Sequence, residues 1–207
     1  MIGCLDQNEK ITTIGRFLVK IPIEPFLARA IIEGLLMEKT LSMKEYSKLD
    51  RKCSDLTEPV IEILCMILSA GNLFRITENF KELGDYAKYK HFSHEKGDFF
   101  FLKNIFDQFK LIINNDRREL NEWLQKSFLI KKTLLQVKDL VREIKSIIKQ
   151  FTIDEKEMKI DIIKCKTKLE KYTNQEDRIL SCLTTCFAAN LCLYSGHPQI
   201  GYTYMNL

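Results

Sequence analysis

The sequence predicts a mainly α protein, a bundle of amphipathic helices, and three observations carry that expectation. Glycine and proline number only 8 and 4 among 207 residues, too few turn-formers for the many short strands of a sandwich or barrel. Apolar residues recur in steps of three and four along several segments, the period of a helix with one packed face. Hydrophobic residues make up 45% against 29% charged, which supplies a sizeable core and argues against a disordered chain.

The elements follow in order. Thr13 is placed to cap a short helix over Ile14 to Lys20, which Pro22 stops. Pro25 then opens a second helix through about Glu38, with Leu27, Ile31 and Leu35 on one face. From Lys39 to Asp55 the apolar pattern fades into what reads as a surface insertion. Pro59 opens a buried helix carrying Ile63, Leu64, Ile67 and Leu68, ending at Gly71 and Asn72. A polar helix is expected over Asn79 to Lys90. After Gly97 and Asp98, read as a turn and a helix cap, Phe100, Phe101, Ile105, Phe106 and Phe109 mark another amphipathic helix. Trp123 reads as a core anchor.

Leu129 to Phe151 is the clearest element, with Leu134, Val137, Val141, Ile144, Ile148 and Phe151 forming a packing seam. Ile153 to Tyr172 reads as a charged connector or exposed helix and a domain boundary. Asn174 caps a last helix, with Asp177 in its first turn and an apolar face running to about Tyr194. One strand-like stretch ends the chain, and its pairing partner is expected elsewhere or outside the chain.

The chemistry the sequence lacks narrows the function. No Gly-rich phosphate loop ending in Gly-Lys-Ser/Thr occurs, so ATP hydrolysis within the chain is not expected. His91, His94 and His197 have no neighbouring arrangement that reads as a catalytic triad, and no Cys-x-x-Cys pair accompanies them, so neither a catalytic residue nor a metal site is assigned. Seven scattered cysteines and the start MIGCLDQNEK, without signal-peptide regions, predict an intracellular, reducing setting, nucleus or cytoplasm. No apolar run is long enough to span a membrane.

Charge points to one face. Lys131, Lys138, Arg142, Lys145 and Lys149 fall within about 60° on a helical wheel, expected nearly opposite the seam, with Asp139 and Glu143 turned away. Together with Lys132 they form the candidate nucleic-acid-binding set. Two readings stand: a track of phosphate contacts, or a solvated face of a lysine-rich protein.

Several segments, taken in order, resemble the C-terminal region of DEAH-box ATP-dependent RNA helicases. IGCLDQNEKITTIGRFLVKIPIEPFLARAII is similar to that family's Leu-Asp, Thr-x-x-Gly and Pro-x-x-Pro pattern at the edge of its winged-helix domain. EILCMILSAGNLF resembles a helix of the helicase-associated domain, and HFSHEKGDFFFLKNIFDQF the Gly-Asp-His segment and the helix after it. NEWLQKSFLIKKTLLQVKDLVREI and RILSCLTTCFAANLCLYSGHPQIGYTY resemble the helices that lead to the OB-fold and its opening strand. Phe99 stands where the family has histidine, Leu124 where it has cysteine, Ser127 where asparagine is usual, and Val141 where arginine is frequent.

The resemblance implies an end of a winged-helix domain over 1–24, a helicase-associated helical domain over 25–172 with the insertion at about 39–55, and a last helix leading into an OB-fold over 173–207. It implies an accessory module of a longer helicase, with ATP and magnesium held in the parent's RecA-like motor domains and no cofactor here. Its expected partners are single-stranded RNA, those motor domains and a protein activator; the alternative is a helical protein-interaction scaffold that touches no RNA.

Overall fold

The computed structural model describes residues 3–42, 55–75, 91–114, 116–150, 159–187, 192–194 and 204–206. The protein is mainly helical and divides into two compact units, one formed by Met1–Thr57 with Thr152–Leu207 and the other by Glu58–Phe151. The resemblance implies domain boundaries at 24/25 and 172/173. The observed division joins both chain ends because the second helix packs against the last two helices.

In the unit built from the chain ends, α1 (Thr13–Leu18) is capped by Thr12 rather than Thr13. Thr12 Oγ1 accepts from Gly15 N at 3.0 Å and donates to Gly3 O at 2.6 Å, so one hydroxyl ties the helix to the preceding turn. Gly15 permits this closeness, since a Cβ there would lie 2.3 Å from Cys4 O. The Thr-x-x-Gly spacing thus has a local physical cause. Pro25 opens α2 (Pro25–Leu41), as expected, and Ala28, Ala30, Ile31, Ile32, Leu36 and Met37 are all buried.

α7 (Lys159–Lys171) packs on α2 and is not an exposed connector: Ile162, Cys165 and Leu169 are buried. Two of its charges pair across the interface, Asp161 accepting from Arg29 at 2.8 Å and Lys168 meeting the buried Glu33. Asn174 caps α8 (Gln175–Phe187) as expected, its Oδ1 accepting from Asp177 N at 2.7 Å. That helix stops before Tyr194. Cys192–Tyr194 is β1, which pairs antiparallel with β2 (Tyr204–Asn206) in the register Tyr194↔Tyr204, so the terminal strand's partner lies in a segment expected to be helical.

The base of the expected insertion is closed by its flanks. Glu38 Oε1 accepts from Leu56 N and Thr57 N at 2.7 Å each and so caps the start of α3 (Thr57–Ser69). Gln175 Nε2 donates to Asp55 O at 2.6 Å. Burial raises the Glu38 carboxyl above its ordinary range, against the lowering effect of the bonds it accepts.

The other unit holds α3 from Glu58 onward, α4 (Asp98–Ile112), α5 (Arg117–Lys126) and α6 (Lys131–Ile148). Ile63 and Leu64 are buried as the spacing predicts, but Leu68 is 43% exposed. Gly97 is the N-cap of α4 with φ 89°, a conformation that suits glycine. Asp98 is the first helical residue and makes no cap bond, so its carboxylate serves the positive end of the helix instead. Trp123 spans α4 and α5, its Nε1 donating to Gln108 Oε1 at 3.2 Å and its ring meeting Phe92 edge-on.

The polar helix expected over 79–90, the insertion core 43–54 and Phe151 lie outside the described residues. No described helix is long and apolar enough to cross a membrane.

Candidate nucleic-acid interface

The candidate cations sit on α6 because that helix has one strongly packed face. Leu134, Val137 and Ile144 are fully buried and Val141 nearly so, which fixes the rotation of the helix and the direction of everything else on it. From Lys131 to Lys149 the chain carries six cations and two carboxylates, an excess of four that equals the formal +4 of the whole chain. The positive balance of the molecule is therefore local.

The ridge is not opposite the seam. At about 100° per residue, its centre stands roughly 90° from that of the seam, and Lys131 and Lys145 are half-buried at its border. Asp139 and Ser146 occupy the side facing away from the packed face, together with Lys132. Asp139 therefore lies beside the ridge and pairs with Arg142 at 2.9 Å. Lys145 pairs with Glu58 at 2.7 Å. Lys131, Lys132, Lys138 and Lys149 have no ion pair with any described carboxylate, and Lys132, Lys138 and Lys149 are exposed. With a rise of about 1.5 Å per residue, Lys131, Lys138 and Lys149 line roughly 27 Å of one helix flank.

At the N-terminal end of α6 the ridge opens onto a cleft of about 340 Å³. The turn between α5 and α6 shapes it. Phe128 N donates to Gln125 O at 3.2 Å and Leu129 N to Leu124 O at 2.9 Å, the paired bonds of a Schellman motif. This puts Phe128 at the left-handed position, φ 55°, where glycine is usual. The turn is pinned from the other side by Arg75 N to Phe128 O at 2.7 Å and Ile130 N to Leu73 O at 2.9 Å. Arg75, Asn121, Gln125, Phe128 and Lys131 line the cleft over an apolar floor that includes Leu124. Sequence reasoning marked only Lys131 of these. The positive φ at Phe128 has no signal in the residue type, and Arg75 lies more than fifty positions from Lys131.

Gly97, Asp98 and Trp123 are not part of this surface; they shape α4 and its packing on α5. The described residues include no cluster of three His, Cys, Asp or Glu side chains that could hold a metal ion. Burial disfavours the thiolate at four cysteines, pushing Cys65 up to about 12 and Cys186 up to about 11, and raising Cys165 and Cys182 further. No protein-family model matches the chain.

Proposed function

We propose that this chain is an accessory helical module from the C-terminal region of a DEAH-box RNA helicase, one that lends a basic wall to a channel for single-stranded RNA. The observation that carries the reading is a set of α6 lysines that no described carboxylate neutralises, Lys131, Lys138 and Lys149 along one flank and Lys132 on the outward side beside it. Such a flank suits a polyanion gripped by its phosphates without regard to sequence. Arg142 and Lys145 already hold carboxylates and contribute less. In this reading residues 1–24 are the edge of a winged helix, β2 belongs to the start of an OB-fold, and ATP and magnesium act in the parent's motor domains while this module stays catalytically silent.

A filter-binding titration against single-stranded RNA tests it. Four phosphate contacts give a log–log salt slope near −3, so affinity should fall roughly 50-fold between 50 and 200 mM salt. Reversing the charge at Lys138 and Arg142 should weaken binding and flatten that slope. Unchanged affinity and slope would reduce the ridge to a solvated face.

A second reading, a helical scaffold that docks a protein, is favoured by the N-terminal corner. Leu5 and Ile11 face each other across a β-bridge and remain 57% and 47% exposed. A scaffold would show neither RNA affinity nor salt dependence.

A further inference from the structure

We infer that the cleft between the α5–α6 turn and Arg75 is a pocket for one nucleoside monophosphate unit, with a preference for a base over a bare sugar-phosphate. The inference rests on the single-strand reading for its source of nucleotides, and of the ridge cations the cleft shares Lys131 alone among its described lining residues.

Size restricts the occupant first. A volume of about 340 Å³ lies at the small end of ligand clefts, enough for one small molecule and too little for a helix or a duplex. The lining then supplies a partner for each part of a nucleotide. Phe128 brings an aromatic residue to the lining, the residue type on which a base stacks. Asn121 and Gln125 offer amides, each with a donor and an acceptor, to the edge of that base. Arg75 and Lys131 offer two cations to a phosphate. No carboxylate is among the described residues that line the cleft.

Phe128 adds a reason to look for function. A bulky residue held at φ 55° stands in the left-handed region that favours glycine.

The test uses the whole 207-residue chain. Anisotropy titrations compare a labelled single-stranded RNA octamer with the same octamer made of abasic riboses, and equilibrium dialysis compares AMP with ribose 5-phosphate. The base-bearing ligand should bind at least about fivefold tighter in both pairs, the low end of stacking on one aromatic ring. Phe128→Gly should erase that preference while leaving the salt slope of octamer binding unchanged. Glycine suits the left-handed position, so this variant keeps the turn, and a thermal melt checks that it does. Asn121→Ala provides a second variant outside the strained turn and should reduce the preference.

Equal binding of base-bearing and abasic ligands overturns the pocket, and so does a preference that survives Phe128→Gly. The failures are separable. Salt-dependent octamer binding with no base preference removes the pocket and leaves the strand reading. A Phe128-dependent preference for AMP without octamer binding removes the strand reading and leaves a site for free nucleotides.

Discussion

α4 and α6 belong to the same compact unit and both carry lysines at helical spacing, yet the two sets do opposite things. On α4, Lys103 and Lys110 turn toward Glu62 of α3, which is only 1% exposed. Lys110 Nζ donates to Glu62 Oε1 at 2.6 Å, and Lys103 Nζ lies 2.9 Å from Oε2 while donating to Asp107. On α6, Lys132, Lys138 and Lys149 stay in solvent and hold no described carboxylate. The difference lies in what each helix faces. A buried acid on a neighbouring helix consumes the first set, and its absence leaves the second for a partner. Counting lysines on a wheel cannot tell the two apart.

Glu62→Ala should produce the largest effect, because it leaves two amines without their buried counter-charge. The loss should be about 3 kcal/mol in a denaturant melt, the low end for breaking a buried pair, since Asp107 still holds Lys103 and Lys110 reaches solvent. A loss under 0.5 kcal/mol would mean that the α4 lysines are as loosely held as those of α6.

Asp107→Asn should cost at most about 1 kcal/mol at neutral pH. Burial works to raise the Asp107 carboxyl, but bonds from Lys103 and Lys110 outweigh it and hold it below its ordinary range. A lowered carboxylate stabilises the fold above its unfolded value, and that contribution is lost as pH falls through the folded one. The wild type should therefore lose stability on acidification more steeply than Asp107→Asn. Glu38 has the opposite sign: its raised carboxyl binds a proton more readily when folded, so Glu38→Gln should remove a gain in stability as pH falls from neutral toward the carboxylate range.

Glu58→Gln should be smaller still for stability, under 1 kcal/mol, because its ion pair with Lys145 is well exposed on both sides. It should release Lys145 to act as one more free cation and steepen the RNA salt slope by about 0.7. Arg142→Ala should do least, under about 0.5 kcal/mol, since its pair with Asp139 is fully on the surface.

Local signals read well from the sequence. Pro25 at the start of α2, Asn174 capping α8 and the Leu134–Val137–Val141–Ile144 seam each depend on residues within one or two turns. Signals that depend on a distant partner did not. α7 looked like a charged connector because Asp161 and Lys168 find Arg29 and Glu33 more than 130 positions away in sequence. The Tyr194↔Tyr204 pairing took a strand from a segment that reads as helix. Of the candidate site, the lysines were legible and their availability was not, since Glu58 and Asp139 neutralise two of the six cations. The cleft was invisible because it needs Phe128 in a left-handed turn.

The difference between the two lysine sets is tested most directly by the salt slope of single-stranded RNA binding for the wild type and for Lys138→Ala/Lys149→Ala, with a melt to confirm that both fold alike. Two lost phosphate contacts should flatten the slope by about 1.4 with the melting curve unmoved. An identical slope in the two proteins, or no binding to RNA by either, would contradict the assignment of the α6 flank to a polynucleotide.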